Sequence, residues 1–355
     1  MEKITRQSIG IDCSKDDFAV SFSVSYSDLE VKHIASRVFK NQQAGFSNLL
    51  DWIKKYNDPS LPNIFVMEAT GVYHERLACF LHDQQQQVAV VLPQRAKNFS
   101  KTLKVKTITD KESAKYLAVM GLEKKLDLWL KPEEIYVTLK DLTRERSQIQ
   151  KQVTEVKNQI HAEKSGAWPN QKSLLRLNER LQFLQKQKAE IEEDIAETLK
   201  AKPELNARIK KVATTPGIGV LTAVTVIAET HAFRLIQNKR QLVSYAGYDV
   251  IEKESGTSVH SKPRISKRGN RHIRKAMHMP ACASIRCSDS NKELFKRIVS
   301  QSGIKMKGVV AVQRKLLVLI YTLWKNDAEY DPEYQHKKEI GQHKAALTEL
   351  DQVRP

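Results

Sequence analysis

The chain has 355 residues, of which 41% are hydrophobic and 28% charged, and a formal charge of +18. That length predicts two or three domains, and the apolar content excludes a globally disordered chain. The excess of positive charge points to a polyanionic partner, bound by phosphate neutralisation and counterion release.

Residues 1–130 read as α/β. "QSIGID" is a short apolar strand ending on Asp12, "DFAVSFSV" alternates as the next strand, and "EVKHIASRVF" follows as a third. The short connections predict an antiparallel meander. "NQQAGFSNLLDWIKKY" carries helical spacing at Phe46, Leu49, Leu50 and Ile53. "NIFVMEAT" is a buried strand ending on Glu68, "HERLACFLHDQ" a helix, "QVAVVLP" a further strand and "TDKESAKYLAVMG" a last helix. The resulting order, β-β-β-α-β-α-β-α, is ribonuclease-H-like.

Residues 131–202 change character. Leu139, Leu142, Ile149, Val153, Val156 and Ile160 follow a heptad spacing broken at Arg146. After "KSGAWPNQ", Leu174, Leu177, Leu181, Leu184, Ile191 and Ile195 follow it again, broken at Lys188. Two such runs around a Gly/Pro loop predict an antiparallel coiled-coil arm, either a spacer or a device that sets the distance between subunits. Pro203 ends the second helix. Residues 203–332 read as mainly helical, with a helix-hairpin-helix-like unit pivoting on Pro216-Gly217-Ile218-Gly219. The tail, 333–355, has weak periodicity.

Cys13, Cys79, Cys282 and Cys287 are scattered and form neither a CxxC pair nor a His/Cys zinc spacing, so they read as reduced core thiols of a cytosolic protein. The first residues lack a signal-peptide pattern, and no run of about eighteen apolar residues occurs. A soluble, intracellular chain is expected.

The candidate chemistry begins with Asp12 and Glu68, lone carboxylates that each close an apolar strand. Such a group is costly unless paired or metal-bound. In the ribonuclease-H order their strands are neighbours, and a hard cation such as Mg²⁺ would relieve their repulsion. A helix N-cap at Asp12 and a surface Glu68 are the bland alternative. Asp110 opens a later helix and reads equally well as its N-cap. Gly217 and Gly219 let a turn backbone come close to a phosphate, although a plain tight turn is the commoner cause. Lys262, Arg264, Lys267, Arg268, Arg271, Arg274 and Lys275 form the densest basic cluster and are expected to contact nucleic acid. Ser255, beside Gly256 and just before that cluster, is either a phosphate contact or a nucleophile, and composition favours the contact.

Taken together, "IGIDCSK", "VMEATGVYHERLA", "TDKESAKYLA", "TPGIGVLTA", "SYAG" and "ESGTSVHSKPRISKRGNRHIRKAMHMPA" resemble the insertion-sequence transposases of family one hundred and ten over about residues 8–332. These DEDD recombinases are similar to the pilin-gene invertase and to the RNA-guided bridge recombinases. The resemblance implies a RuvC-like N-terminal domain, a coiled-coil arm and a C-terminal transposase domain. It implies that Asp12, Glu68 and Asp110 hold Mg²⁺ and that Ser255 is a nucleophile attacking DNA. It further implies a non-coding guide RNA, composite sites made by two subunits in a dimer or tetramer, and a cytoplasmic, nucleoid-associated bacterial protein. The family pattern places a second Asp three residues after the first. Here that position is Ser113, a weaker ligand, and Glu112 offers the nearest other carboxylate, about 100° around the helix. Two further readings stay open: a RuvC-like junction nuclease that uses water, and a nucleic-acid-binding protein whose metal site has decayed.

Overall fold

The computed structural model describes residues 3–103, 109–252 and 263–334, together with the backbone of 254–255 and 259–260. The chain divides into two compact units, Met1–Lys131 and Pro132–Pro355.

In the first unit, β1 (Ile4–Cys13), β2 (Asp17–Tyr26) and β3 (Val31–Lys40) form the expected antiparallel meander. After α1 (Gln43–Ile53), β4 (Asn63–Glu68) pairs with the other edge of β1 in parallel. After α2 (Glu75–Asp83), β5 (Gln87–Val91) extends the sheet parallel to β4. Two helices close the unit, α3 (Pro93–Thr102) and α4 (Asp110–Glu123). The sheet order is β3-β2-β1-β4-β5, the ribonuclease-H-like arrangement. Helix α3 was not expected. It starts with Pro at its first turn and buries only Ala96 and Phe99, a stripe too narrow for a periodicity reading.

Strand alternation divides the sheet by side-chain size. Ile9, Ile11, Phe18, Val20, Phe22, Phe65 and Met67 pack on one face against Phe46 and Leu49 of α1 and Leu77 and Leu81 of α2. On the other face of the central strands β1 and β2 the buried residues are small: Ser8, Gly10, Ala19, Ser21 and Ser23. Helix α4 lies on this face. A Cβ at Gly10 would collide with the Ala114 carbonyl and the Ala118 amide, and one at Gly121 with Ser8 and Val66. Backbone therefore meets backbone at Gly10.

In the second unit, α5 (Glu134–Ser165) and α6 (Gln171–Lys200) form an antiparallel helical pair. Asn170 caps α6 by accepting from the Lys172 and Ser173 amides. The apolar seam splits between two cores. Val153, Val156, Ile160, Leu174 and Leu184 form a cluster of their own toward the tip. Leu139, Ile191, Ile195 and Leu199 at the root belong to the main core of the unit. The two breaks in the heptad pattern converge on one carboxylate: Arg146 donates to Glu192 at 2.7 Å, and Lys188 lies 3.8 Å from it.

The chain continues through α7 (Pro203–Ala213), α8 (Val220–Glu229) and α9 (Lys239–Ala246). Then come four two-residue strands, β6 (Val250–Ile251), β7 (Glu254–Ser255), β8 (Val259–His260) and β9 (Arg264–Ile265). Strand β6 pairs with β9 and β7 with β8, both antiparallel, as two separate two-stranded sheets. Helices α10 (Arg271–Ala276), α11 (His278–Cys287), α12 (Asp289–Ser302) and α13 (Lys305–Asn326) complete the unit. Gly217 sits at φ +88°, where a Cβ would lie 2.6 Å from the Pro280 carbonyl, so packing against α11 is one reason for glycine there. Most of the expected tail, 335–355, lies outside the described residues. The four cysteines are free, and burial pushes the Cys13 thiol up to about 12. Among the described residues no helix is long and apolar enough to cross a membrane.

The backbone contact at Gly10 makes a sharp prediction. Gly10→Ala should lower the unfolding free energy by about 1–3 kcal/mol or more, the range for overpacking. Gly219→Ala, at φ −87° with nothing within 4 Å of its Cβ, should cost about 0.5–1 kcal/mol, as a lost N-cap glycine and nothing more. Urea denaturation of both variants checks the contrast.

Candidate functional site

Asp12 and Glu68 end up side by side. The parallel register pairs Ile11 with Met67, one residue before each. By alternation both carboxylates share the sheet face of Gly10 and Val66, the face that α4 covers. Helix α4 begins with Thr109, not Asp110, as its N-cap: the Thr109 hydroxyl accepts from the Glu112 amide. Asp110 is thus the first helical residue and is not consumed by capping. Its charge acts directly on Asp12.

The electrostatics follow from this crowding. Burial, then repulsion from Asp110 and Glu68, pushes Asp12 up to about 6, against a hydrogen bond from Ser113 that favours the ionised form. Among the described residues no Lys, Arg or His forms an ion pair with Asp12, Glu68 or Asp110. Glu68 accepts from Thr70 at 2.6 Å. Ser113, buried at 7% exposure, faces this group, whereas Glu112 is bound by Lys115 at 2.6 Å and acts on His33 of β3. The structure therefore brings Ser113, and not Glu112, to the carboxylates.

Tyr116 was missed by the sequence reading. It lies one turn beyond Ser113, within electrostatic reach of Ser113, Glu68 and Asp12. Burial, with the nearby Glu68 and Asp12 charges, raises its pKa, so it stays a neutral donor. The i, i+3 spacing from Ser113 was the available signal.

The donors here are all oxygens, the set a hard divalent cation takes, and the repulsion among unpaired carboxylates is what such a cation would relieve. The residues fit Mg²⁺ in donor type. Among the described residues no three His, Cys, Asp or Glu side chains gather closely enough to cage one ion. The carboxylates act on Asp12 at Coulombic range.

In the second unit the backbone of Ser255 lies on β7, paired with Val259. Its side chain, and Lys262, lie outside the described residues. Arg264, Lys267, Arg268 and Arg271 are exposed and have no acidic partner among the described residues. The other two basic residues are engaged: Arg274 donates to the Ala246 carbonyl at 2.7 Å, and Lys275 to the Ser147 hydroxyl at 2.7 Å.

The segment that leads into α10 is tied to a buried carboxylate that the sequence did not advertise. Glu229, 2% exposed, accepts from Arg144 at 2.6 and 2.8 Å and from Asn270 at 2.7 Å. Burial works to raise Glu229, but those hydrogen bonds and the Arg144 charge outweigh it and hold Glu229 below the usual carboxylate range. Asn270 also caps α10 and donates its amide to the Tyr245 carbonyl, while the Tyr245 hydroxyl donates to the Glu229 carbonyl. Removing one partner of such a buried pair costs about 3–5 kcal/mol.

A family model described as "Transposase" (DEDD_Tnp_IS110) matches residues 9–166, and one described as "Transposase IS116/IS110/IS902 family" matches residues 209–296. The pilin gene-inverting protein of Moraxella bovis is 26% identical over 324 residues, 91% of this chain and 97% of that protein. The Moraxella lacunata protein of the same name is 27% identical over 327 residues, with the same coverage. The transposase for insertion sequence element IS1111A of Coxiella burnetii is 28% identical over 141 residues, 39% of this chain and 38% of that protein. Among solved structures, T. thermophilus RuvC in complex with a Holliday junction substrate aligns with a TM-score of 0.27 and 9% identity, covering 35% of this chain and 100% of RuvC.

The crowding at Asp12 predicts opposite effects for two variants. Asp12→Asn removes one repelling charge and should raise the melting temperature in EDTA, while abolishing any increment from added Mg²⁺. Ser113→Asp adds a buried charge and should lower the melting temperature in EDTA, with a larger Mg²⁺-dependent recovery than the parent. Melting curves with and without Mg²⁺ check both.

Proposed function

Because this chain belongs to the IS116/IS110/IS902 family of transposases, we propose that it cuts and rejoins DNA through a phosphoserine intermediate formed on Ser255. The observation that carries the reading is that Asp12 and Glu68 of the sheet and Asp110 and Ser113 of α4 come together with no basic ion-pair partner among the described residues. We assign these residues to Mg²⁺, which when bound supplies charge neutralisation at a scissile phosphate. Tyr116 and Ser113 orient the carboxylates through their hydroxyls.

The chemistry assigned to Ser255 balances as a transesterification. Its oxygen attacks the scissile phosphorus and the phosphorus–O3′ bond breaks. The serine proton is released, and the departing 3′ oxygen takes one up. One strand then ends in a free 3′-hydroxyl and the other is joined to Ser255 through its 5′-phosphate. Attack by another 3′-hydroxyl reverses these steps and frees the serine, so strands are exchanged without an outside energy source. Arg264, Lys267, Arg268 and Arg271, exposed and unpaired, are suited to hold the phosphates on either side.

The helical pair α5–α6 serves in this reading as the coiled-coil arm of a dimer or tetramer. The α7–α8 turn serves as a helix-hairpin-helix contact to a nucleic-acid backbone through Gly217 and Gly219. A non-coding guide RNA supplies base specificity by pairing, which leaves no base-reading motif in the protein.

The test is a nicked suicide DNA substrate, followed by denaturing electrophoresis and peptide mapping. The expected result is a covalent adduct on Ser255 that is absent in Ser255→Ala, and absent in Asp12→Asn although DNA is still bound. An adduct that persists in Ser255→Ala or maps to Ser258 overturns the assignment. Cleavage to free 5′-phosphates without an adduct favours a junction nuclease with water as nucleophile.

A further inference from the structure

A cavity of about 230 Å³ opens in the second unit between α5, α8 and α10–α11. Its polar wall includes Arg144, Arg146, Lys275, Ser147 and Thr222, and one carboxylate, Glu229. Both bonds from Arg144 to Glu229 use its Nε and Nη2, leaving the outer edge of the guanidinium without a partner among the described residues. That edge is held in place, since the inner one is locked by a bidentate pair to a carboxylate with a side-chain exposure of 1%. Lys275 spends its ammonium on neutral oxygens of Ser147, at 2.7 and 3.3 Å, and meets no carboxylate. The carboxylates within reach are accounted for: Glu229 by Arg144 and Asn270, and Glu192 by Arg146. Asp141 lies near Arg144. Burial lowers the pKa of His272, so it faces the cavity as a neutral ring. Leu221 and Thr222 stand at the start of α8, where the helix dipole puts partial positive charge.

We infer that this cavity binds a single backbone phosphate of a nucleic-acid strand, held by Lys275, Arg144 and the hydroxyls of Ser147 and Thr222. A fixed guanidinium edge, an ammonium held by neutral oxygens and small hydroxyls around a space lined by three cations and one carboxylate are the recognition chemistry of a phosphodiester. The site is separate from the exposed run Arg264–Arg271 and draws part of its wall from α5. It would register a strand against α5 as well as against that run. The inference rests on the reading of the chain as a nucleic-acid enzyme, but not on the serine chemistry.

The experiment measures binding of the full chain to a short duplex DNA, a single-stranded DNA and an RNA of the same sequence, across a range of salt. Thr222→Glu puts a carboxylate into the cavity, and Ser147→Asp does so from the opposite wall. Each should weaken binding about tenfold at low salt, and Lys275→Gln should make the salt slope about one unit shallower. A loss confined to the RNA probe assigns the phosphate to RNA, and one confined to DNA assigns it to DNA. Wild-type affinity and slope in both acidic variants, with unchanged melting temperatures, overturns the inference. If one acidic variant melts early, the other decides. No readout involves cleavage, so the adduct assay on Ser255 can fail while this site stands, and the reverse.

Discussion

A helix can lie directly on a sheet only where the facing residues are small, and the N-terminal unit is organised by that condition. Gly10 sits under the Ala114 carbonyl, and Gly121 of α4 sits over Ser8 and Val66. The opposite sheet face carries Ile, Phe and Val and drives the burial, at about 1.5–3 kcal/mol for each large side chain. The small face contributes less hydrophobic energy but sets a distance. Because α4 lies so close, its first turn delivers Asp110 and Ser113 to carboxylates that end β1 and β4. A bulkier helix contact would hold the same residues out of range.

The second unit handles charge differently. Among its described residues the one deeply buried carboxylate, Glu229, is neutralised by a bidentate arginine and an asparagine, and these bonds tie α5, α8 and the start of α10 together. The backbone beyond Glu229 is strained: His231, Ala232 and Phe233 all have φ between 45° and 61°. Phe233 is fully buried and packs edge-on against Tyr321, which holds this left-handed turn in place. The segment that leads into α10 is thus anchored by this network, while Arg264, Lys267, Arg268 and Arg271 are left exposed.

Much of this was legible from local pattern. Strand alternation in "DFAVSFSV", the apolar runs before Asp12 and Glu68, and the heptads of α5 and α6 each reflect a repeat that one element imposes on its own residues. The neighbouring of Asp12 and Glu68 followed from strand order alone. The short strands β6 to β9 were not legible, because two-residue strands have no period to read, and α3 was hidden by its narrow stripe.

What the sequence by itself determined was which residues could not be left alone: carboxylates closing apolar strands, glycines in a turn, and a dense run of cations. What only the tertiary structure decided was their company. Ser113 rather than Glu112 reaches Asp12, because α4 is rotated so that its small residues face the sheet. Arg274 is drawn inward to the Ala246 carbonyl while Arg271, three positions earlier on the same face of α10, stays exposed, because the acceptor that α9 brings up lies beside Arg274. Arg144 and Glu229 stand 85 positions apart and find each other only when α5 packs on α8. A pairing between distant elements leaves no periodic trace in either, since each residue answers to a neighbour its own segment does not contain.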